Sequence, residues 1–353
     1  MHSFTYDALP GRVVFGAGAL DRLPDEVARL GAERALVLST PRRGPAEEAA
    51  KRLGARAAGI FARAEMHVPV ETARAARAEA RRLGADACVA VGGGSTIGLG
   101  KAIALEFGLP ILAVPTTYAG SEMTPIWGLT EGGAKRTGRD PKVLPRTVIY
   151  DPNLTLTLPA AIAGPSGINA IAHCVEALYA ENANPITSLM AEEGVRALGR
   201  ALPRVVAAPG DIGARSNALY GAWLAGTALG AVGMALHHKL CHTLGGSFGL
   251  PHAETHTIVL PHAAAYNHEA ASEAMARIAR ALGVADAPLG LQDLARAVGA
   301  PLALKDIGMK EADLDRAAGI AAANPYFNPR PVERAALRRL LDDAFFGRAP
   351  AGA

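Results

Sequence analysis

The chain has 353 residues, 50% of them hydrophobic and 20% charged, and a formal net charge of +3. These values are typical of a globular protein with room for two domains, and the balanced charge argues against binding to nucleic acid or an anionic membrane. No apolar run is long enough to cross a bilayer, and residues 1–6 lack the basic-then-apolar pattern of a signal peptide.

Cysteine usage gives an expectation about location. Cys88, Cys174 and Cys241 all lie in apolar segments, and their count is odd. These features are typical of reduced core residues, so we expect a cytoplasmic protein.

The first part of the chain alternates apolar runs with helix-like segments. Six candidate strands cover residues 12–15, 35–39, 58–61, 87–91, 111–114 and 148–150. Four candidate helices cover residues 20–30, 46–53, 70–83 and 96–107. Repeated β-α units build a parallel sheet with helices on both faces, so we predict this architecture. A passage rich in Gly, Lys and Arg, residues 131–146, is predicted to form a loop or a hairpin.

After Asp151-Pro152 the pattern becomes helical almost throughout. The candidate helices there cover residues 165–180, 185–206, 214–229, 234–247 and 252–267. We therefore predict an α/β N-terminal domain over residues 1–155 and an all-α C-terminal domain over residues 156–353.

The segment Gly92-Gly93-Gly94-Ser95 joins a predicted buried strand to a predicted helix. Glycine lets the backbone approach a ligand closely, and free N–H groups at a helix start favour an anion, so this is a candidate phosphate-binding turn. A tight turn without a ligand is the alternative, because the spacing matches neither the dinucleotide fingerprint nor the P-loop. Thr116 and Thr117 follow the next predicted strand and would reach the same cofactor.

The loop after the predicted strand at residues 35–39 carries Thr40, Arg42 and Arg43 but no carboxylate. A carboxylate there would select NADH through a ribose hydroxyl, whereas an arginine would accept the extra phosphate of NADPH. Thr40 is therefore a candidate cofactor-binding residue. We expect NADH as the cofactor, with NADPH as an open alternative.

Histidines are concentrated near residue 240. His238 and His242 are four residues apart, and His252 follows Pro251, where a helix would end. Asn169 and His173 show the same spacing in an earlier predicted helix. Side chains at this spacing share a helix face, so two such helices and a turn can surround one pocket. The alternative is a set of scattered core histidines, each of which would need its own partner.

These motifs together resemble the iron-containing (group III) alcohol dehydrogenase family. The resemblance includes the glycine-rich turn with Lys101, Pro115-Thr116-Thr117, Gly120-Ser121-Glu122, and the stretches from Asn169 to His173 and from His238 to His252. It implies a dehydroquinate synthase-like architecture with a dinucleotide-binding N-terminal domain, an active site in the cleft between the domains, and a homodimer. In the family an aspartate and three histidines usually bind a divalent metal, and these positions fall here on Asn169, His173, His238 and His252.

Two departures refine the resemblance. Asn169 stands where the family has aspartate, and Gly98 replaces an aspartate usual in the glycine-rich helix. Together with residues 118–128, these changes resemble the maleylacetate reductase branch, whose members reduce the carbon–carbon double bond of maleylacetate to 3-oxoadipate in aromatic compound degradation. Because a neutral amide and three imidazoles offer a cation no anionic ligand, we expect no metal.

The resemblance also implies roles for individual residues. His242 matches the histidine beside the nicotinamide and is the expected proton donor. Three further imidazoles are expected to stabilise the enolate that hydride addition creates: His173, His238 and His252. The residues expected to bind the small dicarboxylate substrate are Asn169, Lys142 and Arg330.

Two other functions remain open at this point. One is a metal-dependent alcohol dehydrogenase or aldehyde reductase in which three histidines hold Fe²⁺ or Zn²⁺. The other is a non-catalytic nucleotide-binding protein that has kept the fold. Retention of the histidines argues against the second, because a decayed site would not need them.

Overall fold

The computed structural model describes residues 4–6, 8–9, 11–132 and 134–351. Contacts group the chain into two compact units, one covering Ala8–Leu158 and the other covering the residues from Pro159 onward together with those before Ala8. The division therefore falls after Leu158, whereas the domain boundary was predicted after residue 155.

Eight strands are described in the first unit: β1 (Arg12–Phe15), β2 (Ala35–Leu38), β3 (Ala57–Phe61), β4 (Ala87–Gly92), β5 (Ile111–Pro115), β6 (Ile126–Glu131), β7 (Ala134–Arg139) and β8 (Thr147–Tyr150). Six of them form one parallel sheet in the order β1-β8-β5-β4-β2-β3. The other two, β6 and β7, pair as an antiparallel hairpin. This hairpin overlaps residues 131–146, and it begins earlier than predicted.

Helices cover both faces of the parallel sheet: α1 (Leu23–Arg29), α2 (Gly44–Leu53), α3 (Val70–Leu83) and α4 (Gly94–Phe107). Successive strand residues point to opposite faces. Accordingly, Val37 packs in one core with α1 and α2, whereas Leu36 and Leu38 pack in another with α3 and α4. The apolar runs therefore form strands buried on both sides, and the predicted α/β fold is confirmed.

Nine α-helices build the second unit within the described chain: α5 (Ala160–Ala177), α6 (Pro185–Ala207), α7 (Ile212–Ala231), α8 (Leu236–Phe248), α9 (His252–Tyr266), α10 (Ser272–Leu282), α11 (Ala287–Ala297), α12 (Leu314–Ala323) and α13 (Arg334–Phe346). The prediction of a helical C-terminal part is confirmed. Among the described helices none is by itself long and apolar enough to span a membrane, and only the bent pair α7–α8 passes that test jointly.

Helix α5 lies at the centre of the second unit. It is buried without interruption from Ala163 to Ala177, and it contacts α6, α7 and α9. The helix begins at Ala160, earlier than the predicted start at Pro165. Pro165 therefore lies inside the helix, where it removes the N–H that would donate to the Ala161 carbonyl.

Glycines let α5 and α6 approach closely. A Cβ added at Gly167 would lie 2.2 Å from Leu202 Cδ2. We expect Gly167→Ala to lower the free energy of unfolding by about 1–3 kcal/mol, because Leu202 must move within a packed core. Urea unfolding followed by circular dichroism measures this loss. Gly246→Ala is the matched control in α8, since nothing lies within 4 Å of its added Cβ; equal stability of the two variants would contradict the close packing.

Candidate active site

The candidate phosphate-binding turn lies between β4 and α4, at the carboxyl edge of the sheet. Among the residues described, no side chain caps the start of α4 and no acidic residue lies in its first turn. A Cβ at Gly92 would lie 2.4 Å from Thr96 Oγ1, and one at Gly93 would lie 2.9 Å from Thr117 Oγ1. Only glycine therefore fits this turn, whose backbone N–H groups suit an anion.

The other predicted cofactor-binding residues lie at the same edge. Gly94 and Ser95 form the start of α4, and Thr116 and Thr117 directly follow β5. The Thr116 N–H donates to the last carbonyl of β4 over 3.1 Å. Thr40 lies just beyond β2, which pairs with β4. Three adjacent strands thus bring these residues together, and their role in cofactor binding stays a prediction.

Six histidines of the second unit form one imidazole cluster. Helix α5 supplies one, α8 supplies three and α9 supplies two: His173, His237, His238, His242, His252 and His256. Neighbouring ring centroids lie 4.2–6.1 Å apart. The structure therefore brings together all four histidines predicted to be catalytic, rather than scattering them through the core.

A buried carboxylate, Glu176, holds the cluster together. Asn169, His173 and Glu176 lie at spacings of four and three residues, on one face of α5. Glu176 Oε2 lies 2.7 Å from His238 Nδ1 and also accepts the Ala235 N–H over 2.7 Å. Its Oε1 accepts the His237 backbone N–H over 2.6 Å. Because these donors fix both oxygens, Glu176 orients His238 with Nε2 away from the carboxylate.

Burial controls the charge of the cluster. It lowers the pKa of His173, His238 and His256 well below 6.5, and neighbouring imidazoles lower each pKa further. Burial also raises the pKa of Glu176, while the His237 imidazole and backbone N–H groups oppose that change. These imidazoles are therefore neutral at neutral pH, where each acts as a hydrogen-bond donor or a ligand rather than as a cation.

His242 is the exposed member of the cluster. Its Nδ1 lies 3.1 Å from the Tyr326 hydroxyl. Burial and the charge of Glu176 raise the pKa of Tyr326, so that hydroxyl keeps its proton and can donate it. A donor at Nδ1 places the proton of a neutral imidazole on Nε2. This arrangement suits His242 to deliver a proton from Nε2.

Several ligand atoms of the cluster are buried and have no hydrogen-bond partner among the described residues. They are Asn169 Oδ1, His173 Nδ1, His238 Nε2 and both ring nitrogens of His256. Two overlapping groups have ligand atoms within 4.8 Å of one another: Glu176, His237 and His238, and also His237, Cys241 and His256. Carboxylate, imidazole and thiolate are ligands of Fe²⁺ and Zn²⁺, so these residues fit a divalent metal.

The predicted substrate-binding cations have different surroundings. Lys142 is an exposed residue of the first unit, and its backbone N–H donates to Asp140 Oδ1 over 2.8 Å. Arg330 donates to the Tyr266 carbonyl over 3.2 Å and stacks on the Tyr266 ring at 4.3 Å. Tyr266 ends α9 and His252 begins it, so Arg330 contacts the opposite end of this helix, whose ends lie about 20 Å apart. Substrate binding by either cation stays a prediction.

Four residues of the site were not predicted from the sequence: Glu176, His237, His256 and Tyr326. Cys241 was predicted to be only a reduced core residue. Two signals were present. Glu176 continues the helix face that carries Asn169 and His173, and His256 lies four residues after His252. No local pattern points to Tyr326, because it meets His242 across 84 residues of sequence.

Comparison with known proteins identifies the family. A model described as iron-containing alcohol dehydrogenase matches residues 10–152. A second, described as the C-terminal part of the Fe-containing alcohol dehydrogenase family, matches residues 164–345. The chain therefore belongs to the iron-containing alcohol dehydrogenase family, which confirms the resemblance seen in its motifs.

Individual relatives narrow the comparison. The maleylacetate reductase of Burkholderia cepacia is 62% identical over 351 residues, which are 99% of this chain and 100% of the relative. That of Sphingobium indicum is 58% identical over 348 residues, 98% of this chain and 99% of the relative. The crystal structure of maleylacetate reductase from Agrobacterium tumefaciens superposes with a TM-score of 0.96 at 56% identity, covering 99% and 100% of the two chains. The predicted similarity to maleylacetate reductases is thus confirmed.

The expectation that no metal binds is wrong. It was based on Asn169, which replaces the family's aspartate with a neutral amide. The matching family is iron-containing, and the cluster holds two groups of side chains close enough to share an ion. The expectation failed because it considered Asn169 alone, whereas Glu176 on the same helix places a buried carboxyl group within 4.8 Å of ligand atoms of His237 and His238.

Proposed function

We propose that this chain is an NAD(P)H-dependent oxidoreductase that reduces the carbon–carbon double bond of maleylacetate to give 3-oxoadipate. The single observation that carries the proposal is full-length identity of 53–62% to relatives named maleylacetate reductase. The glycine turn at α4 and the imidazole cluster on α5, α8 and α9 supply the two chemical parts that such a reaction needs.

The reaction divides between these two parts. The glycine turn with Thr116 and Thr117 would hold the nicotinamide dinucleotide, which would supply hydride to the alkene carbon β to the ketone and leave an enolate on the substrate. His173 and His252 donate hydrogen bonds to the developing negative charge. His238 donates its Nδ1 proton to Glu176 and therefore presents an unprotonated Nε2 to the site. His242 then gives the Nε2 proton to the enolate carbon, and the hydrogen bond from Tyr326 holds its ring in place.

A divalent ion held by Glu176, His237 and His238 would act as a Lewis acid toward a developing oxyanion. Glu176 also has a role that does not depend on that ion. It fixes His238 through the 2.7 Å contact to Nδ1, so that Nε2 remains available to the site. We further propose that the protein is a cytoplasmic homodimer and that its substrate is a small dicarboxylate.

The test is a spectrophotometric assay with purified protein, maleylacetate and NADH. We expect nicotinamide absorbance to fall with formation of 3-oxoadipate, and to fall more slowly with simple aldehydes. Parallel assays with NADPH measure the cofactor preference that Thr40 leaves open. Oxidation of NADH by aldehydes but not by maleylacetate would overturn the proposed substrate.

A further inference from the structure

A fully buried ammonium group lies inside the first unit, outside the candidate sites described so far. Lys101 on α4 has 0% exposure. Its Nζ donates to the Ser121 carbonyl at 2.7 Å, to the Thr124 carbonyl at 2.8 Å and to the Ile126 carbonyl at 2.8 Å. Thr124 Oγ1 lies at 3.0 Å from the same nitrogen. One side chain therefore gathers four oxygens of the segment 121–126.

A second buried polar pair lies beside this segment. Glu122 and Tyr150 are both 0% exposed, and the Tyr150 hydroxyl donates to Glu122 Oε1 over 2.9 Å. Burial lowers the pKa of the Lys101 ammonium to about 7, and the charge of Glu122 opposes this change. Burying an ammonium costs several kcal/mol, and an apolar residue would fill this core position at lower cost. Lys101 therefore serves something other than stability.

The segment that Lys101 holds is also attached to the candidate phosphate-binding turn. It continues directly from Thr116, whose N–H donates to the Gly92 carbonyl, and from Thr117, which packs against Gly93. Residues 116–126 are thus held at both ends, first at the glycine turn that precedes α4 and then by Lys101, near the middle of that helix. Loss of the second attachment would free the threonines to move relative to the turn.

We propose that Lys101 is a positioning residue for the nicotinamide dinucleotide: it holds residues 116–126 against α4 and so keeps Thr116 and Thr117 at the phosphate-binding turn. This role rests on the proposed function, since it requires a dinucleotide at that turn. Lys101 itself touches neither the cofactor nor the reacting atoms.

The test compares wild-type protein with the double variant Lys101→Met/Glu122→Gln, in which no buried carboxylate loses its counter-charge. Fluorescence titration gives the Kd for NADH, and steady-state kinetics give kcat and both KM values. We expect Kd and KM for NADH to rise about tenfold, which corresponds to about 1.4 kcal/mol. We expect kcat at saturating NADH and KM for maleylacetate to stay within about twofold, because the imidazole cluster is unchanged.

Two further variants separate positioning from general destabilisation. Leu99→Ala removes a buried apolar side chain from the same helix, and we expect it to lower stability without changing the Kd for NADH. Thr124→Val removes one oxygen from Lys101 and serves if the double variant does not fold; we expect about a threefold rise in Kd.

The outcomes distinguish the two proposals. Failure of the wild-type protein to bind NADH or NADPH would overturn the proposed function and, with it, this role for Lys101. If the wild-type protein binds NADH tightly and both Thr124→Val and the double variant keep the wild-type Kd, the positioning role alone would be overturned. An equal loss of affinity in Leu99→Ala would also overturn it.

Discussion

We expect His242→Ala to lower the turnover of maleylacetate by about 10²–10⁴-fold, the usual contribution of a positioned general acid. The Kd for NADH should change little, because the candidate phosphate-binding turn belongs to the other compact unit. Steady-state kinetics and NADH titration on the same preparations measure both quantities. The expected loss is in kcat, since the proton is transferred only after the substrate has bound.

Two variants make this result specific. Tyr326→Phe removes the hydroxyl 3.1 Å from His242 Nδ1 while keeping the ring, and we expect a smaller loss of about tenfold. His268→Ala changes an exposed histidine just after α9 and should leave turnover unchanged. Wild-type turnover in His242→Ala would remove His242 from the proposed mechanism.

The second large effect concerns Glu176. Glu176→Gln keeps the size of the side chain but removes the charge that faces His238 and two backbone N–H groups. We expect the free energy of unfolding to fall by about 3 kcal/mol, because one partner of a buried, charged network is lost. We also expect the affinity for Zn²⁺ or Fe²⁺ to fall about 10–100-fold, as occurs when a carboxylate that orients a ligating histidine is removed.

Denaturant unfolding and calorimetric titration with Zn²⁺ measure these two changes. Glu181→Gln is the matched control, because Glu181 is an exposed residue shortly after α5. Unaltered Zn²⁺ affinity in Glu176→Gln, or failure of the wild-type protein to bind either ion, would contradict the assignment of Glu176 to a metal-binding group.

Elements with strong local signals were predictable from the sequence. The predicted helix at residues 70–83 has the same bounds as α3. It is rich in alanine and charged residues, it follows Pro69, and Gly84 ends it in the left-handed conformation with φ 59°. The buried strands β2, β4 and β5 were similarly visible as continuous apolar runs between Gly, Pro and polar residues.

Features that depend on distant contacts were not predictable in this way. The order of strands in the sheet follows from packing rather than from any one segment, and nothing near β1 indicates that it pairs with β8. Part of the candidate site also depends on contacts between segments that are distant in the sequence. The histidine spacing predicted that His238 and His242 share a face, but the anion that holds His238 comes from α5, 62 residues earlier. Reasoning about charge from Asn169 alone therefore reached the wrong conclusion about metal.

The pairing of β1 with β8 affects the order in which the strands of the first unit can fold. β1 is an edge strand whose one neighbour in the sheet is β8. Just after β8, Asp151 accepts the backbone N–H groups of Gly18 and Leu20, which lie more than 130 residues earlier in the sequence. A nascent chain can assemble β2 to β5 while its first strand still has no place to dock. We therefore expect β1 to join the sheet only after residues 147–151 have been synthesised, later than β2 to β5.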